Sequence, residues 1–208
     1  MGSVSSSESL PNEGIGDRVL AMEKAFDDMP LAERQIDSTN VFDGRLLHVY
    51  KDNIVLPNGS RSTREYVKHL GASAVVAVDD NGRIVVERQF RYPFHKELLE
   101  IPAGKLDYAG EDPLEAAKRE LREETGIIAG RMEYLGPFYP TCAYSDEVIH
   151  LYWAKDLEYG KRDLDEDESI NVEMIDLKTF VDMILSGEIP DGKTQAAVLQ
   201  VWARMHKS

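Results

Sequence analysis

The segment 104–127, GKLDYAGEDPLEAAKRELREETGI, constrains this chain more than any other. It carries Glu111, Glu115, Glu120, Glu123 and Glu124, and it also reads as a helix. Asp112 supplies an N-cap oxygen, and Pro113 suits the first helical position, where a missing N–H costs nothing. Glu115, three residues after Asp112, resembles half of a capping box. Gly126 suits a left-handed C-cap that stops the helix. Leu114, Ala117 and Leu121 recur at helical spacing as a buried stripe. Glu120 and Glu124 are four apart and Glu123 follows Glu120 by three, so all three project from one side, beside that stripe. Their repulsion costs roughly 0.2–0.5 kcal/mol per like-charge pair. It also falls at the helix end where the macrodipole disfavours anions. Positive charge is needed there, and hard carboxylate oxygens suit Mg²⁺ or Mn²⁺ better than a soft metal. The alternative is a solvated helix face neutralised by Lys118, Arg119 and Arg122.

Around this segment the pattern alternates between strands and helices. Strands are predicted over 46–50, 53–56 and 64–67, with a turn at Pro57-Asn58-Gly59, forming a small antiparallel unit. Segments 72–78 and 83–90 flank Asp79-Asp80-Asn81-Gly82, which reads as a hairpin. Further strands are expected over 98–101, 132–139, 148–154 and 170–175. Helices are expected over 177–185 and 194–206, the second burying Ala197, Val198, Val201, Trp202 and Met205. Without regular βαβ alternation the class is α+β. Residues 1–14 are Ser-rich and expected to be disordered, and 17–29 reads as a short helix.

Composition narrows the function classes. The 208 residues are 42% hydrophobic, enough for one core and an appendage. A net charge of −14 argues against binding a nucleic-acid backbone or an anionic membrane non-specifically. A single cysteine, Cys142, excludes an intramolecular disulfide framework and fits a reducing compartment. No apolar run is long enough to span a bilayer and no signal peptide is evident, so a cytoplasmic location is expected.

Gly104, Glu111, Arg119-Glu120-Leu121, Glu123-Glu124 and Gly126-Ile127 together resemble the Nudix box, Gly-x5-Glu-x7-Arg-Glu-U-x-Glu-Glu-x-Gly-U, with U a bulky aliphatic residue. All nine fixed positions match in type, but six residues rather than five separate Gly104 from Glu111. The extra residue falls in the loop 107–110, where an insertion leaves the carboxylate register intact. The resemblance extends from about 41 to 204, to the ADP-ribose pyrophosphatase branch of the Nudix hydrolases. It is carried by STREYVKHLGASAVVAV, VERQFRYPF, ELLEIPAGKL, YSDEVIHLYWA, DEDESINV and GEIPDGKTQAAVLQVW.

That resemblance implies a Nudix fold, an α/β/α sandwich around a mixed sheet, with an N-terminal antiparallel β subdomain that pairs two subunits. Residues 1–40 would be an extension, 41–70 the dimerisation subdomain and 71–208 the hydrolase domain. It implies metal ligation by Glu120, Glu124, the Ala103 carbonyl and Glu168. It places the general base at Glu166 in an acidic loop, with Glu123 and Arg119 in the catalytic set, Arg119 orienting the carboxylates. Arg64 and Arg91 would contact the diphosphate or terminal ribose, and Glu100 the substrate or its neighbours. The implied activity is Mg²⁺-dependent hydrolysis of a nucleoside diphosphate linked to a group X, ADP-ribose giving AMP and ribose 5-phosphate. The alternatives are a nucleotide-sugar of the GDP-mannose type, a dinucleotide, or a ligand-binding regulator without catalysis. Cys142 stands where many members carry a proline, in a loop bordering the substrate pocket, which leaves the group X open.

Overall fold

The burial of a single strand sets the layering. In the computed structural model, which describes residues 29–162 and 169–207, β4 (Ala72–Ala77) is buried along its whole length. Its successive side chains point to opposite faces and feed two cores. Ala74 and Val76 join Ile84, Val86, Leu151, Phe180, Val181 and Val198. Val75 and Ala77 join Val85, Ala117, Leu121, Tyr152 and Ala154. A strand buried on both faces needs helices on both. They are α1 (Pro113–Thr125) on one side, and α2 (Leu177–Leu185) with α3 (Gly192–Met205) on the other. The expected α/β/α sandwich is what forms.

Strand β4 lies inside a four-stranded sheet ordered β7 (Ala103–Lys105), β4, β9 (Ile149–Tyr159), β8 (Ile127–Phe138). It runs parallel to β9, with Val75 opposite Tyr152, and antiparallel to β7, so the sheet is mixed. A second sheet, ordered β10 (Ile170–Asp176), β5 (Arg83–Arg91), β6 (Lys96–Glu100), is antiparallel throughout.

The turn at Asn81-Gly82 forms, with Gly82 at φ 73° and the Gly82 N–H bonded to the Asp79 carbonyl at 3.0 Å. Its arms do not make the long hairpin expected of them. They share the isolated bridge Val78–Ile84 and then part into different sheets. Each arm has both faces buried, and pairing with β9 and β7, or with β10 and β6, wins over the local ladder. Strand β8 begins at Ile127 rather than 132, straight from the helix cap, and Gly130 and Gly136 had masked its pattern.

The chain divides into two units, one of Met1–Phe42 with Val49–Glu65, the other of Asp43–His48 with Tyr66–Ser208. The N-terminal sheet is ordered β1 (Arg34–Asp43), β2 (His48–Val55), β3 (Arg61–Lys68). Strand β1 starts well before 41, and β2 runs unbroken where two shorter strands were expected. Asp52, which falls between those two expected strands, is buried and accepts from Gln35 Nε2 on β1 at 2.6 Å. Except for Met29, the short helix expected over 17–29 lies outside the described residues. Among the described residues no helix is long and apolar enough to cross a membrane.

Candidate active site

Helix α1 is delimited as its end residues dictate. Asp112 accepts from the Leu114 N–H at 2.9 Å, and Gly126 closes the helix at φ 76° with its N–H on the Arg122 carbonyl at 2.8 Å. The capping box does not form, because Glu115 takes Lys118 Nζ at 2.7 Å instead. Ala116, Ala117 and Leu121 bury one face and so fix the rotation of the helix. Glu124 sits at the margin of that face, only 3% exposed, and its Oε2 accepts from the Ala103 N–H at 3.0 Å. Glu120 lies directly over Gly104: a Cβ at 104 would run into its carboxylate, so glycine is required for the approach.

Arg119 ties the acidic groups together. Its Nη1 reaches Glu120 Oε1 at 2.7 Å and Glu123 Oε2 at 3.3 Å, and its Nη2 reaches the Lys105 carbonyl at 3.2 Å and Glu111 Oε1 at 3.5 Å. Burial disfavours its charge, but Glu120, Asp107 and Glu123 outweigh that and raise its pKa. Glu111 in turn accepts from the Asp107 N–H at 2.6 Å. The additional residue in the loop is absorbed by a turn, the Glu111 N–H meeting the Tyr108 carbonyl at 3.2 Å with Gly110 at φ 87°.

A second charged group shares the cleft. Glu100 accepts from Arg91 Nε and Nη2, both at 2.7 Å, and also from Lys193 Nζ. Burial alone would raise the Glu100 pKa, yet Arg91 and Lys193 hold it at about 2. Lys193 also meets Asp191 Oδ2 at 3.0 Å, and Asp191 caps α3 through the Thr194 N–H at 2.9 Å.

These residues line one cleft of about 720 Å³. It brings together Ala103, Glu120, Glu123 and Glu124 with Arg119, Arg91 and Glu100, all singled out in the sequence. Arg64 belongs to the other unit, where it pairs with Glu33 and donates to the Thr63 carbonyl at 2.9 Å. Glu166 and Glu168 lie outside the described residues. Cys142 is exposed and outside the cleft lining. Sequence reasoning missed Lys193 and Asp191. The one available signal was a lysine and an aspartate flanking Gly192 just before an amphipathic helix.

The donor set, carboxylate oxygens beside backbone, fits a small divalent cation. Among the described residues no three His, Cys, Asp or Glu side chains already converge as a ligand cluster. Arg119 and the Ala103 N–H hold the glutamates as they stand.

Known proteins match both parts of the chain. A NUDIX domain matches 67–196, and a nucleoside diphosphate sugar hydrolase N-terminal domain matches 33–67. The ADP-ribose pyrophosphatase of Bacillus subtilis is 41% identical, over 81% of this chain and 91% of that one. A methanol dehydrogenase activator of Bacillus methanolicus is 42% identical, over 80% and 90%. A GDP-mannose pyrophosphatase of Yersinia enterocolitica is 32% identical, over 77% and 88%. The crystal structure of an ADP compounds hydrolase superposes with a TM-score of 0.73 over 83% of this chain and 95% of that one, and at 22% identity it speaks for the fold.

Proposed function

The chain belongs to the Nudix hydrolases, and on that premise we propose that its cleft hydrolyses the diphosphate of ADP-ribose to AMP and ribose 5-phosphate. The observation that carries this reading is one cleft lined both by the α1 carboxylates Glu120, Glu123 and Glu124 and by the half-buried guanidinium of Arg91. Carboxylates can hold metal against a diphosphate, and cations can receive its remaining charge.

Nudix hydrolases use divalent metal ions. Mg²⁺, or Mn²⁺ in its place, is the ion proposed here, with Glu120, Glu124, the Ala103 carbonyl and Glu168 to hold it. When bound, it neutralises the diphosphate and lowers the pKa of a water. The rest falls to the chain. Arg119 keeps Glu120 and Glu123 in place. Glu166 takes the proton of the attacking water. Attack in line on one phosphorus expels the other phosphate, which needs no proton to leave. Arg91 receives the charge that develops. Arg91 commits Nε and Nη2 to Glu100, and the other end of its guanidinium serves the anion.

The protein is further proposed to act as a cytoplasmic homodimer, paired through the N-terminal subdomain. Strand β1 supports this, being exposed along its length with Ile36, Val41 and Phe42 uncovered. A nucleotide-sugar of the GDP-mannose type is the second reading, favoured by the relative at 32% identity. Release of AMP or GMP from ADP-ribose, ADP-glucose, GDP-mannose, NADH and diadenosine polyphosphates with Mg²⁺ separates the readings. ADP-ribose should show the highest kcat/KM. A higher value for GDP-mannose would move the substrate, and no turnover on any would leave a ligand-binding regulator.

A further inference from the structure

Lys193 is a buried cation in the lining of this cleft. Its side chain is 10% exposed and that of Glu100 4%. Its ammonium bonds Glu100 Oε2 and, at 3.0 Å, Asp191 Oδ2. The next residue, Thr194, accepts from the Ile101 N–H at 3.0 Å through Oγ1. The start of α3 is therefore stitched to the end of β6 at two consecutive positions, Glu100 and Ile101. The consequence for Arg91 is geometric. It meets Glu100 side-on, through Nε and Nη2, which leaves three of its five N–H donors at the other end of the guanidinium, on a side chain that is 38% exposed.

The consequence for charge is equally direct. Arg91, Lys193, Glu100 and Asp191 sum to zero. Without Lys193 the group would carry a net negative charge, in a cleft that already presents Glu120, Glu123 and Glu124 and must admit a polyanion. A buried carboxylate with too little positive charge also draws its remaining cation inward, away from any ligand.

We propose that Lys193 is a positioning residue for the hydrolysis. Acting through Glu100, it balances that carboxylate and fixes Arg91 side-on, so that the free end of the guanidinium meets the diphosphate of the substrate. Glu100 is then a support for Arg91 rather than a ligand of the substrate. The inference rests on the cleft being a diphosphate site.

The test is a double-mutant cycle of Lys193→Met and Glu100→Gln, with KM and kcat measured for ADP-ribose at saturating Mg²⁺ and folding followed by near-UV circular dichroism. Lys193→Met should raise KM about tenfold while kcat falls by no more than about threefold, the signature of weakened anion binding. Lys193→Arg should restore most of the loss. In the Glu100→Gln background, Lys193→Met should change KM by less than about twofold, because the charge it balances is gone. Two results overturn the inference. A full tenfold effect in the Glu100→Gln background would mean that Lys193 touches the substrate itself. A normal KM in Lys193→Met would reduce it to a structural tie. If Lys193→Met fails to fold, Lys193→Gln takes its place in the same cycle. If the wild-type protein does not turn over ADP-ribose, the substrate reading fails, and the cycle is run on whichever diphosphate it does hydrolyse.

Discussion

Gly104→Ala tests how the carboxylate wall is built. Gly104 lies in β7 with a backbone conformation open to alanine, so the added methyl meets a side chain rather than strained backbone. That side chain is Glu120, whose carboxylate occupies the space a Cβ would need. To regain ordinary contact distance it must withdraw by roughly 1.4 Å, and a shift of about 1 Å at a reacting centre can cost about 100-fold. Stability should respond in the opposite sense. A glutamate end swings away cheaply, and replacing glycine restricts the unfolded chain by roughly 0.4–1 kcal/mol in favour of folding. The melting temperature should therefore stay within about 4 °C of wild type. The assay is kcat/KM for ADP-ribose against Mg²⁺ concentration, with calorimetry alongside. The expected result is a loss of about 100-fold with a raised Mg²⁺ requirement in a protein that melts normally. Activity within about threefold of wild type at normal Mg²⁺ dependence would refute the reasoning, since Glu120 would then not need its place over residue 104.

Three further outcomes follow from the same geometry. Glu100 titrates at about 2 against an ordinary 4.5, so its contribution is complete above about pH 4.5 and lost as pH falls toward 2. That shift is worth about 3 kcal/mol, and urea unfolding from about pH 5 downward should lose that much more in wild type than in Glu100→Gln. Glu124→Gln keeps size and an acceptor for the Ala103 N–H but loses charge; Mg²⁺-dependent kcat should fall more than about 100-fold with the fold intact by circular dichroism. With a net charge of −14 and an anionic substrate, kcat/KM at fixed free Mg²⁺ should rise about two- to threefold as ionic strength goes from about 0.01 to 0.1 M, measured in initial rates.

What could be read in advance divides by how local its cause is. The ends of α1 were legible because Asp112, Pro113 and Gly126 act within a turn of themselves. The capping box was not, because Glu115 had a choice of partners and Lys118 won. Strand β1 carries no alternation to read, since all of it is exposed, and β7 is too short to show a period. The parting of β4 and β5 was hidden for a different reason. An Asn-Gly turn specifies the reversal of the chain, but the partners of each arm come from β9, β7, β10 and β6, far along the sequence.

The cleft follows the same division, and this explains which of its residues the sequence could name. Glu120, Glu123 and Glu124 share a helix, so spacing alone sets them side by side, and the Gly104 that admits Glu120 is part of the same motif. Arg91, Glu100 and Lys193 come from β5, β6 and the start of α3, and only the folded chain brings Lys193 to Glu100. In a chain of net charge −14, a site for a polyanion cannot rely on the overall field. It needs each buried carboxylate matched by a specific donor. Arg119 serves Glu120 and Glu123, the Ala103 N–H serves Glu124, and Arg91 with Lys193 serves Glu100. On the proposed reading, those pairings let Arg91 meet the substrate, although the protein as a whole repels it.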